Sequence, residues 1–317
     1  MVNAYETAFK YEILNGVIAG IAALITRSFP KTLPGDIGRL DEELWEIYRS
    51  IQLTDDLEVF DRCGKRLAEI RGYIQEYSNN AESGLDSDYS ERDVEAATEW
   101  IFARLTVGKH PSSAPAAHLL GGQSGAGKSV IHRLLLARDP NFVVLDGDLF
   151  REFHPNFSKI QKLYGENAAN YTQSFSNSVM NSLLDRLSGE RFGLIIEGTC
   201  RTAEVPLNTC RLLKSKGYYA ALAVICTDSE TSWESAAERY DAMKASGTAP
   251  RAVPREKYLE TVRALPGTIS ELYTSGEFDD VLLFNRNAEC LYRFKERSEQ
   301  DPAEIVMHIL HSTVKKG

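Results

Sequence analysis

The sequence predicts an α/β protein, a doubly wound parallel sheet preceded by a small bundle of three helices. Two observations predict this fold class. From residue 116 onward, short apolar runs typical of strands alternate with helical segments. The first 77 residues contain helical periodicity alone, and a polar stretch separates them from the rest.

The spacing of apolar residues in the N-terminal segment predicts three amphipathic helices. Over residues 3–28, large apolar side chains recur every three or four positions. They are Tyr5, Phe9, Ile13, Val17, Ile21 and Leu24. A second pattern runs from Leu40 to Ile51, and a third, capped by Asp55 or Asp56, continues to Tyr77. We therefore expect a bundle over residues 1–77, a linker over 78–88 and a second domain over 89–317.

The second domain is organised around an apolar strand, a glycine-rich loop and a helix. Ala116 to Leu120 is the strand, and apolar residues after Val130 have helical spacing. The loop between them reads Gly122-Gln123-Ser124-Gly125-Ala126-Gly127-Lys128-Ser129, a complete phosphate-loop motif. Its backbone N–H groups and the helix N-terminus favour a bound anion. The motif predicts a nucleoside triphosphate site in which Lys128 meets the β- and γ-phosphates and Ser129 holds Mg²⁺.

Further strands and helices follow in alternation, as a phosphate-loop NTPase or kinase fold requires. Predicted strands are 142–145, 194–196, 221–226 and 281–284, and predicted helices are 91–105, 167–187, 205–216, 232–244 and 303–314. Ligands of such sheets bind beyond the carboxyl ends of the strands. Residues in the loops at those ends are therefore the candidates for chemistry.

Two carboxylates and two arginines are the main candidates. Asp148 and Glu197 each follow a strand, where a carboxylate can take the proton of an acceptor hydroxyl or assist Mg²⁺. Asp148 or its neighbour Asp146 can instead cap a turn. Arg239 lies on a predicted helix and Arg251 in a Gly-, Pro- and Ala-rich segment. Such arginines either neutralise charge on a transferring phosphoryl group or lie on a solvated face, and spacing leaves both open.

The amino-acid composition argues against several classes of binding partner. The net charge of −9 argues against a nucleic-acid or anionic-membrane binder. Five scattered cysteines without C-x-x-C pairs suit a reducing cytosol and no metal cluster. The long apolar run, Gly16 to Ile25, is shorter than a membrane span, and the residues before it carry Glu6 and Glu12 rather than a basic signal start. A cytoplasmic protein is expected.

Several segments, in order and spacing, resemble the zeta toxins of bacterial epsilon/zeta toxin–antitoxin systems. They are Leu120 to Arg133 (LGGQSGAGKSVIHR), Leu145 to Phe157 (LDGDLFREFHPNF), Ile195 to Pro206 (IIEGTCRTAEVP), Glu238-Arg239-Tyr240 and Pro250-Arg251-Ala252. A shorter match, Tyr5-Glu6-Thr7-Ala8-Phe9 with Glu12-Ile13-Leu14-Asn15, is similar to the first helix of the epsilon antitoxin. The chain therefore resembles a toxin and its antitoxin joined in one polypeptide.

The resemblance implies a kinase that moves the ATP γ-phosphate to the 3′-hydroxyl of UDP-N-acetylglucosamine and so blocks peptidoglycan synthesis. It implies roles for residues that match the family's motifs. Lys128 and Ser129 handle phosphate and Mg²⁺, Asp148 is the base, Arg239 and Arg251 clamp the transferring phosphate, and Glu197, Thr199, Arg201 and Thr209 line the sugar-nucleotide pocket. The sequence departs from the family at Asn181, where a glutamate usually faces the sugar nucleotide.

The resemblance also implies that the N-terminal domain inhibits the kinase domain in cis. In the family, the matching antitoxin helix lies against the nucleotide site and excludes ATP. Tyr5, Phe9 and Glu12 share one helix face by their spacing. We expect Phe9 to fill an apolar part of the adenine cleft and Glu12 to face the phosphate site, although Phe9 can instead pack inside the bundle.

Other functions fit parts of the same pattern. A regulatory ATPase would use hydrolysis to drive a conformational switch, with a partner surface in place of an acceptor pocket. A kinase for another sugar nucleotide would keep the same residues and differ in the acceptor. A polynucleotide kinase is disfavoured by the negative net charge and the lack of a basic stripe.

Overall fold

The computed structural model describes residues 4–29, 33–77, 88–246, 252–296 and 300–312. Arg251 and nearly all of the predicted linker lie outside these residues. The N-terminal part consists of three helices, α1 (Ala4–Ser28), α2 (Gly35–Leu53) and α3 (Leu57–Tyr77). Asp56 begins the third, because its carboxylate accepts a hydrogen bond of 2.9 Å from the backbone N–H of Glu58.

The remainder is built around a sheet of six strands in the order β2-β3-β1-β4-β5-β6. The strands are β1 (Ala116–Gly121), β2 (Val143–Leu145), β3 (Leu194–Glu197), β4 (Tyr219–Ile225), β5 (Asp280–Phe284) and β6 (Cys290–Arg293). The first five are parallel, as the alternating pattern predicts, and β6 pairs antiparallel with β5. The sheet is therefore mostly, rather than wholly, parallel.

Nine helices accompany the sheet in the described part of the chain. They are α4 (Glu91–Leu105), α5 (Lys128–Arg138), α6 (Gly147–Phe150), α7 (Phe157–Tyr164), α8 (Ala168–Gly189), α9 (Glu204–Ser215), α10 (Ser229–Ala245), α11 (Arg255–Thr274) and α12 (Pro302–Leu310). The predicted boundaries agree to within a few residues. The sequence pattern missed β6, α6, α7 and the long α11, which has Pro266 in its interior.

The N-terminal helices and the sheet share one hydrophobic core. A continuous cluster of buried side chains includes Tyr11 and Ile21 of α1, Leu44 of α2, Leu119 of β1 and Leu283 of β5. A second cluster lies between α5 and the sheet. The extent of this apolar contact holds the three helices against the rest of the protein, since interfaces that are large and hydrophobic restrict domain motion.

Polar contacts add to this docking. Arg133 of α5 is only 9% exposed, and its guanidinium donates to the Ile51 carbonyl (3.0 Å) and to Thr54 and Asp55 just past α2. Arg104 of α4 pairs with the buried Asp41 of α2 at 2.5 Å. The C-terminal end of α2 is thus held by the helix that follows the phosphate loop.

Helix α1 is more extensively apolar than the run from Gly16 to Ile25 suggested. It has the length and composition of a membrane span, with an 18-residue window of mean hydropathy 1.5. Within that window 61% of the residues are buried inside the protein. The apolar character of α1 is that of a core helix, because its side chains are covered by α2, α3 and the body of the protein.

Candidate active site

The phosphate loop is shaped by glycines with left-handed backbone. Gly122, Gly125 and Gly127 have φ values of 136°, 74° and 99°, which favour glycine. A Cβ at Gly125 would lie 2.0 Å from the carbonyl oxygen of Ser232 on α10, so this glycine also permits a close approach. The spacing of the motif therefore determines both the turn of the loop and its packing.

Residues of the loop, of the segment that follows β4 and of α10 fix the loop in place. The Gln123 amide donates to the Thr227 carbonyl at 2.7 Å and to the Ser232 hydroxyl at 3.0 Å. The Thr227 hydroxyl donates to the Ala126 carbonyl at 2.8 Å. These buried hydrogen bonds hold the loop before any ligand binds, so little ordering is left for ligand binding to accomplish.

Lys128 and Ser129 begin helix α5 at the end of the loop. The ammonium of Lys128 donates to the Gly122 carbonyl at 3.2 Å, across the mouth of the loop. Ser129 is 5% exposed and its hydroxyl points out of the first turn of the helix. The partial positive charge of the helix N-terminus adds to that of Lys128, so this end of α5 favours an anion.

A carboxylate of the protein itself, that of Glu12, lies at this end of α5. The Ser129 hydroxyl donates to Oε2 of Glu12 at 3.2 Å, and Arg239 of α10 forms an ion pair with the other carboxylate oxygen. Arg239 also donates to the Ser124 hydroxyl of the loop at 2.9 Å. Glu12 lies on α1, so the N-terminal helix supplies an anion to the residues predicted to bind phosphate.

The same residues fit the phosphates of a nucleotide with Mg²⁺. The buried Nε of Arg239 has no hydrogen-bond partner among the described residues, so a donor remains for an anion with more oxygens than a carboxylate. The Ser129 hydroxyl could hold Mg²⁺, which proteins bind through few side chains and the phosphate oxygens. In the described part of the chain, no group of three or more His, Cys, Asp or Glu side chains could hold a metal ion.

Tyr5, about two turns before Glu12 in α1, lies over the last glycine of the loop. A Cβ at Gly127 would be 3.7 Å from Cδ2 of the Tyr5 ring. The half-buried Phe9 follows, with its ring centroid 6.1 Å from that of Tyr5. The aromatic residue against the phosphate loop is thus Tyr5, while the placement of Phe9 in an adenine cleft stays a prediction.

Glu197 ends β3 beside the phosphate loop. In the parallel register it pairs with Leu120, two residues before Gly122. Oε1 of Glu197 lies 3.1 Å from Nε2 of His132 on α5. Burial lowers the pKa of His132 to about 4, so this imidazole is neutral at pH 7. His132 was not among the site residues predicted from the sequence, although its position one turn after Lys128 on the same helix indicates that it lies near the phosphate loop.

Asp148 lies in the first turn of α6, just past the end of β2, and its side chain is exposed. Asp146 provides the turn cap, since its carboxylate accepts from the Asp148 N–H at 3.0 Å. Asp148 itself pairs with Nε of Arg151 at 3.1 Å. Arg151 is 9% exposed and also donates to the Ala169 carbonyl of α8, which makes it a rigid support for Asp148 that the motif analysis did not identify.

The other candidate residues lie in the loop after β3 and on helices α8 and α9. Thr199 and Arg201 are exposed in the loop after β3, Thr209 is half-buried on α9, and Asn181 is exposed on α8. Lys128, Ser129 and Arg239 are brought together by contact with Glu12 or with the loop. For the remaining candidates, the sugar-nucleotide pocket stays a prediction.

Comparison with known proteins places the chain in a family. The sequence profile described as zeta toxin matches residues 101–297. Toxin PezT of Streptococcus pneumoniae is 37% identical over 225 residues, which are 70% of this chain and 88% of the relative. Toxin zeta of Streptococcus agalactiae is 32% identical over 230 residues, 72% of this chain and 80% of the relative.

A solved structure supports the same assignment. A chain described as part of the PezAT chromosomal toxin–antitoxin system of Streptococcus pneumoniae superposes with a TM-score of 0.66 at 32% identity. The superposition covers 74% of this chain and 92% of that one. The N-terminal helices fit a fused antitoxin-like region. On the sequence match, the fold and the phosphate loop together, this chain belongs to the zeta toxin family.

Proposed function

We propose that the protein is an ATP-dependent kinase that phosphorylates the 3′-hydroxyl of UDP-N-acetylglucosamine and is restrained by its own N-terminal helices. That the protein is a kinase of the toxin class follows from its membership of the zeta toxin family together with the phosphate loop. The acceptor, the inhibition and a place of action in the cytoplasm are the proposed parts. The contact of Glu12 with Ser129 and Arg239 is the observation that carries the proposed inhibition, and the resemblance to the zeta toxins supports the acceptor.

Different residues of the chain bind the phosphates, stabilise the transferring phosphoryl group and accept the proton. When bound, ATP would supply the γ-phosphoryl group and Mg²⁺ would neutralise charge on the phosphate oxygens. The loop N–H groups and Lys128 would hold the phosphates, and the Ser129 hydroxyl would be a ligand of Mg²⁺. Arg239, with Arg251, stabilises the charge that develops during transfer, because a guanidinium binds phosphoryl oxygens with several donors. Asp148, supported by Arg151, accepts the proton of the acceptor hydroxyl.

The proposed acceptor site is the part of the sheet edge beyond β3. Glu197, Thr199, Arg201 and Thr209 would bind the sugar nucleotide, with the neutral His132 beside Glu197. Asn181 on α8 offers an amide where the family usually has a carboxylate. An amide is uncharged and both donates and accepts hydrogen bonds, so recognition there would differ from that in family members that carry the glutamate.

Inhibition would arise from direct competition for the phosphate site. Glu12 meets the residues that ATP would need, and Tyr5 covers Gly127, so a docked N-terminal helix would exclude ATP. A docked segment within one chain acts at an effective concentration of about millimolar, so even weak contacts keep it in place. Tyr5, Phe9 and Glu12 are the proposed inhibitory residues.

Product analysis tests the proposal. A full chain carrying Glu12→Gln is incubated with ATP, Mg²⁺ and UDP-N-acetylglucosamine, and the sugar nucleotide is examined by mass spectrometry and phosphorus NMR. We expect a new phosphomonoester at the 3′ position, absent when Lys128→Ala is added. Release of inorganic phosphate without a phosphorylated sugar nucleotide would identify a regulatory ATPase instead. Reaction with a different sugar nucleotide would correct the acceptor alone.

Growth measurements test the inhibition separately. Bacteria expressing residues 89–317 should grow more slowly than bacteria expressing the whole chain, and residues 1–77 supplied as a separate chain should restore part of the growth. Circular dichroism of the purified fragment shows whether it is folded. Equal growth with a folded fragment would refute inhibition in cis.

A further inference from the structure

Arg286 follows β5, at the same edge of the sheet as the phosphate loop. Its guanidinium carbon lies 3.6 Å from the centroid of the Tyr5 ring, which is the distance of a stacked cation–π contact. A Cβ at Gly127 would be 3.8 Å from Cγ of Arg286 and 3.7 Å from Tyr5. Arg286 and the last glycine of the loop thus border one space, and the Tyr5 ring is in it.

The loop that carries Arg286 is held firmly. The Asn285 carboxamide oxygen accepts from the N–H groups of Asn287 and Glu289 at 2.9 and 3.0 Å. Ala288 adopts left-handed backbone with φ of 62°, which closes the turn. One guanidinium nitrogen of Arg286 also donates to the hydroxyl of Ser235, a buried residue of α10, at 2.9 Å. The guanidinium plane is therefore positioned before any ligand binds.

The geometry of α1 relates this space to the nucleotide. Tyr5 and Glu12 are seven residues apart on one helix, a separation of about 10 Å along its axis. Glu12 meets Ser129 and Arg239, which the proposed function assigns to the terminal phosphates and Mg²⁺. A nucleoside triphosphate in an extended conformation spans a similar length between its terminal phosphate and its base. The aromatic ring at the other end of the contact is then at the position of the base.

We propose that Arg286 is the residue on which the base of the nucleotide stacks, and that Tyr5 stacks there in its place when the N-terminal helix is docked. The inference rests on the proposed function, since it assumes that the phosphate loop binds a nucleotide. A planar guanidinium contacts the face of a base rather than its edge, and every base has such a face. Arg286 therefore adds affinity for ATP and GTP alike and does not distinguish them.

The test uses full chains that carry both Tyr5→Ala and Glu12→Gln, which removes the side chain that contacts Arg286 and the carboxylate that contacts the phosphate-binding residues. Titration calorimetry measures the affinity for ATP, for GTP and for inorganic tripolyphosphate, which lacks a base. Arg286→Ala is compared with Arg138→Ala, a substitution at the exposed far end of α5. Arg286→Lys keeps the charge without the planar group, and thermal unfolding checks that each variant is folded.

We expect Arg286→Ala to weaken ATP and GTP binding by about two- to thirtyfold, the range of a cation–π contact, and tripolyphosphate binding much less. Arg286→Lys should fall between, and Arg138→Ala should bind normally. In a chain that retains Tyr5 and carries only Glu12→Gln, Arg286→Ala should change ATP affinity less, because it weakens the competing Tyr5 contact as well.

Two results would overturn the inference while the proposed function stands. They are unchanged ATP affinity in Arg286→Ala and an equal loss of affinity for ATP and tripolyphosphate, which would make Arg286 a phosphate ligand. If the parent chain with intact Arg286 binds neither ATP nor tripolyphosphate, the proposed function fails and this inference fails with it.

Discussion

Replacing Glu12 with glutamine in the full chain should raise its apparent affinity for ATP. Glu12 is the point at which the N-terminal helix meets the phosphate-binding residues, through the Ser129 hydroxyl and the Arg239 guanidinium. Glutamine preserves the size of the side chain and a hydrogen-bonding oxygen but removes the charge. The docked form therefore loses an ion pair, whereas the nucleotide-binding form loses nothing.

The magnitude follows from the burial of the pair. The side chains of Glu12 and Arg239 are 25% and 14% exposed, so solvent screens their attraction only in part. Hydrogen bonds to charged groups contribute about 1.5–3 kcal/mol, and we take about 1.5–2.5 kcal/mol because of that exposure. The apparent dissociation constant equals the intrinsic one divided by the fraction of open chains. ATP should therefore bind about ten- to seventyfold more tightly, provided that the docked form still predominates.

Titration calorimetry of the purified full chain with ATP and Mg²⁺ measures this change. The matched control is Glu6→Gln, which removes the same charge from an exposed position of the same helix. It should bind ATP as the unmodified chain does. Bacteria that express Glu12→Gln should grow more slowly than bacteria that express either of the other two chains. An unchanged ATP affinity in a folded Glu12→Gln chain would refute the reasoning that this carboxylate competes with phosphate.

Four further predictions follow from the same structure. Adding Lys128→Ala to the Glu12→Gln chain should abolish phosphoryl transfer and toxicity, and measurable product would contradict the assignment of the loop. Asp148→Asn in the same background should lower the transfer rate by about 10²–10⁴ with ATP binding nearly intact, whereas near-normal turnover in that variant would place the base elsewhere. Arg133→Ala should lower the melting temperature and raise ATP affinity, because it releases the end of α2 from α5, and a variant with only the first effect would show that this contact does not govern docking. Burial lowers the pKa of His132 and of His118 to about 4, so the contribution of these neutral imidazoles to the free energy of unfolding should be complete above pH 6.5. It should fall towards pH 4 by about 1.4 kcal/mol per pH unit for each residue. The free energy of unfolding, measured with urea at several pH values, should depend less steeply on pH in His132→Gln.

The sequence predicted most of the sheet because its signals are local. Each parallel strand is a short apolar run, and each is buried between helices on both faces, so the pattern is visible without knowledge of the partner strands. Helix α11 was missed because Pro266 and Gly267 ordinarily oppose a helix interior. In the folded chain Leu265, Pro266 and Ile269 are buried, and their packing outweighs the local preference. Strand β6 was missed because it is a four-residue antiparallel strand at the sheet edge.

The candidate site, like the fold, has a part that the sequence predicts and a part that depends on tertiary structure. By itself, the sequence determined the phosphate loop, since its three left-handed glycines, Lys128 and Ser129 belong to one contiguous segment whose conformation follows from residue type. Tertiary structure decides what faces that loop, and only the resemblance to the antitoxin helix, rather than any local pattern, had placed Glu12 at the phosphate site. Glu12 and Arg239 are 227 residues apart in the chain, and the Tyr5–Arg286 contact spans a longer separation. Such contacts depend on how one hydrophobic core joins the N-terminal helices to the sheet, which no local periodicity encodes.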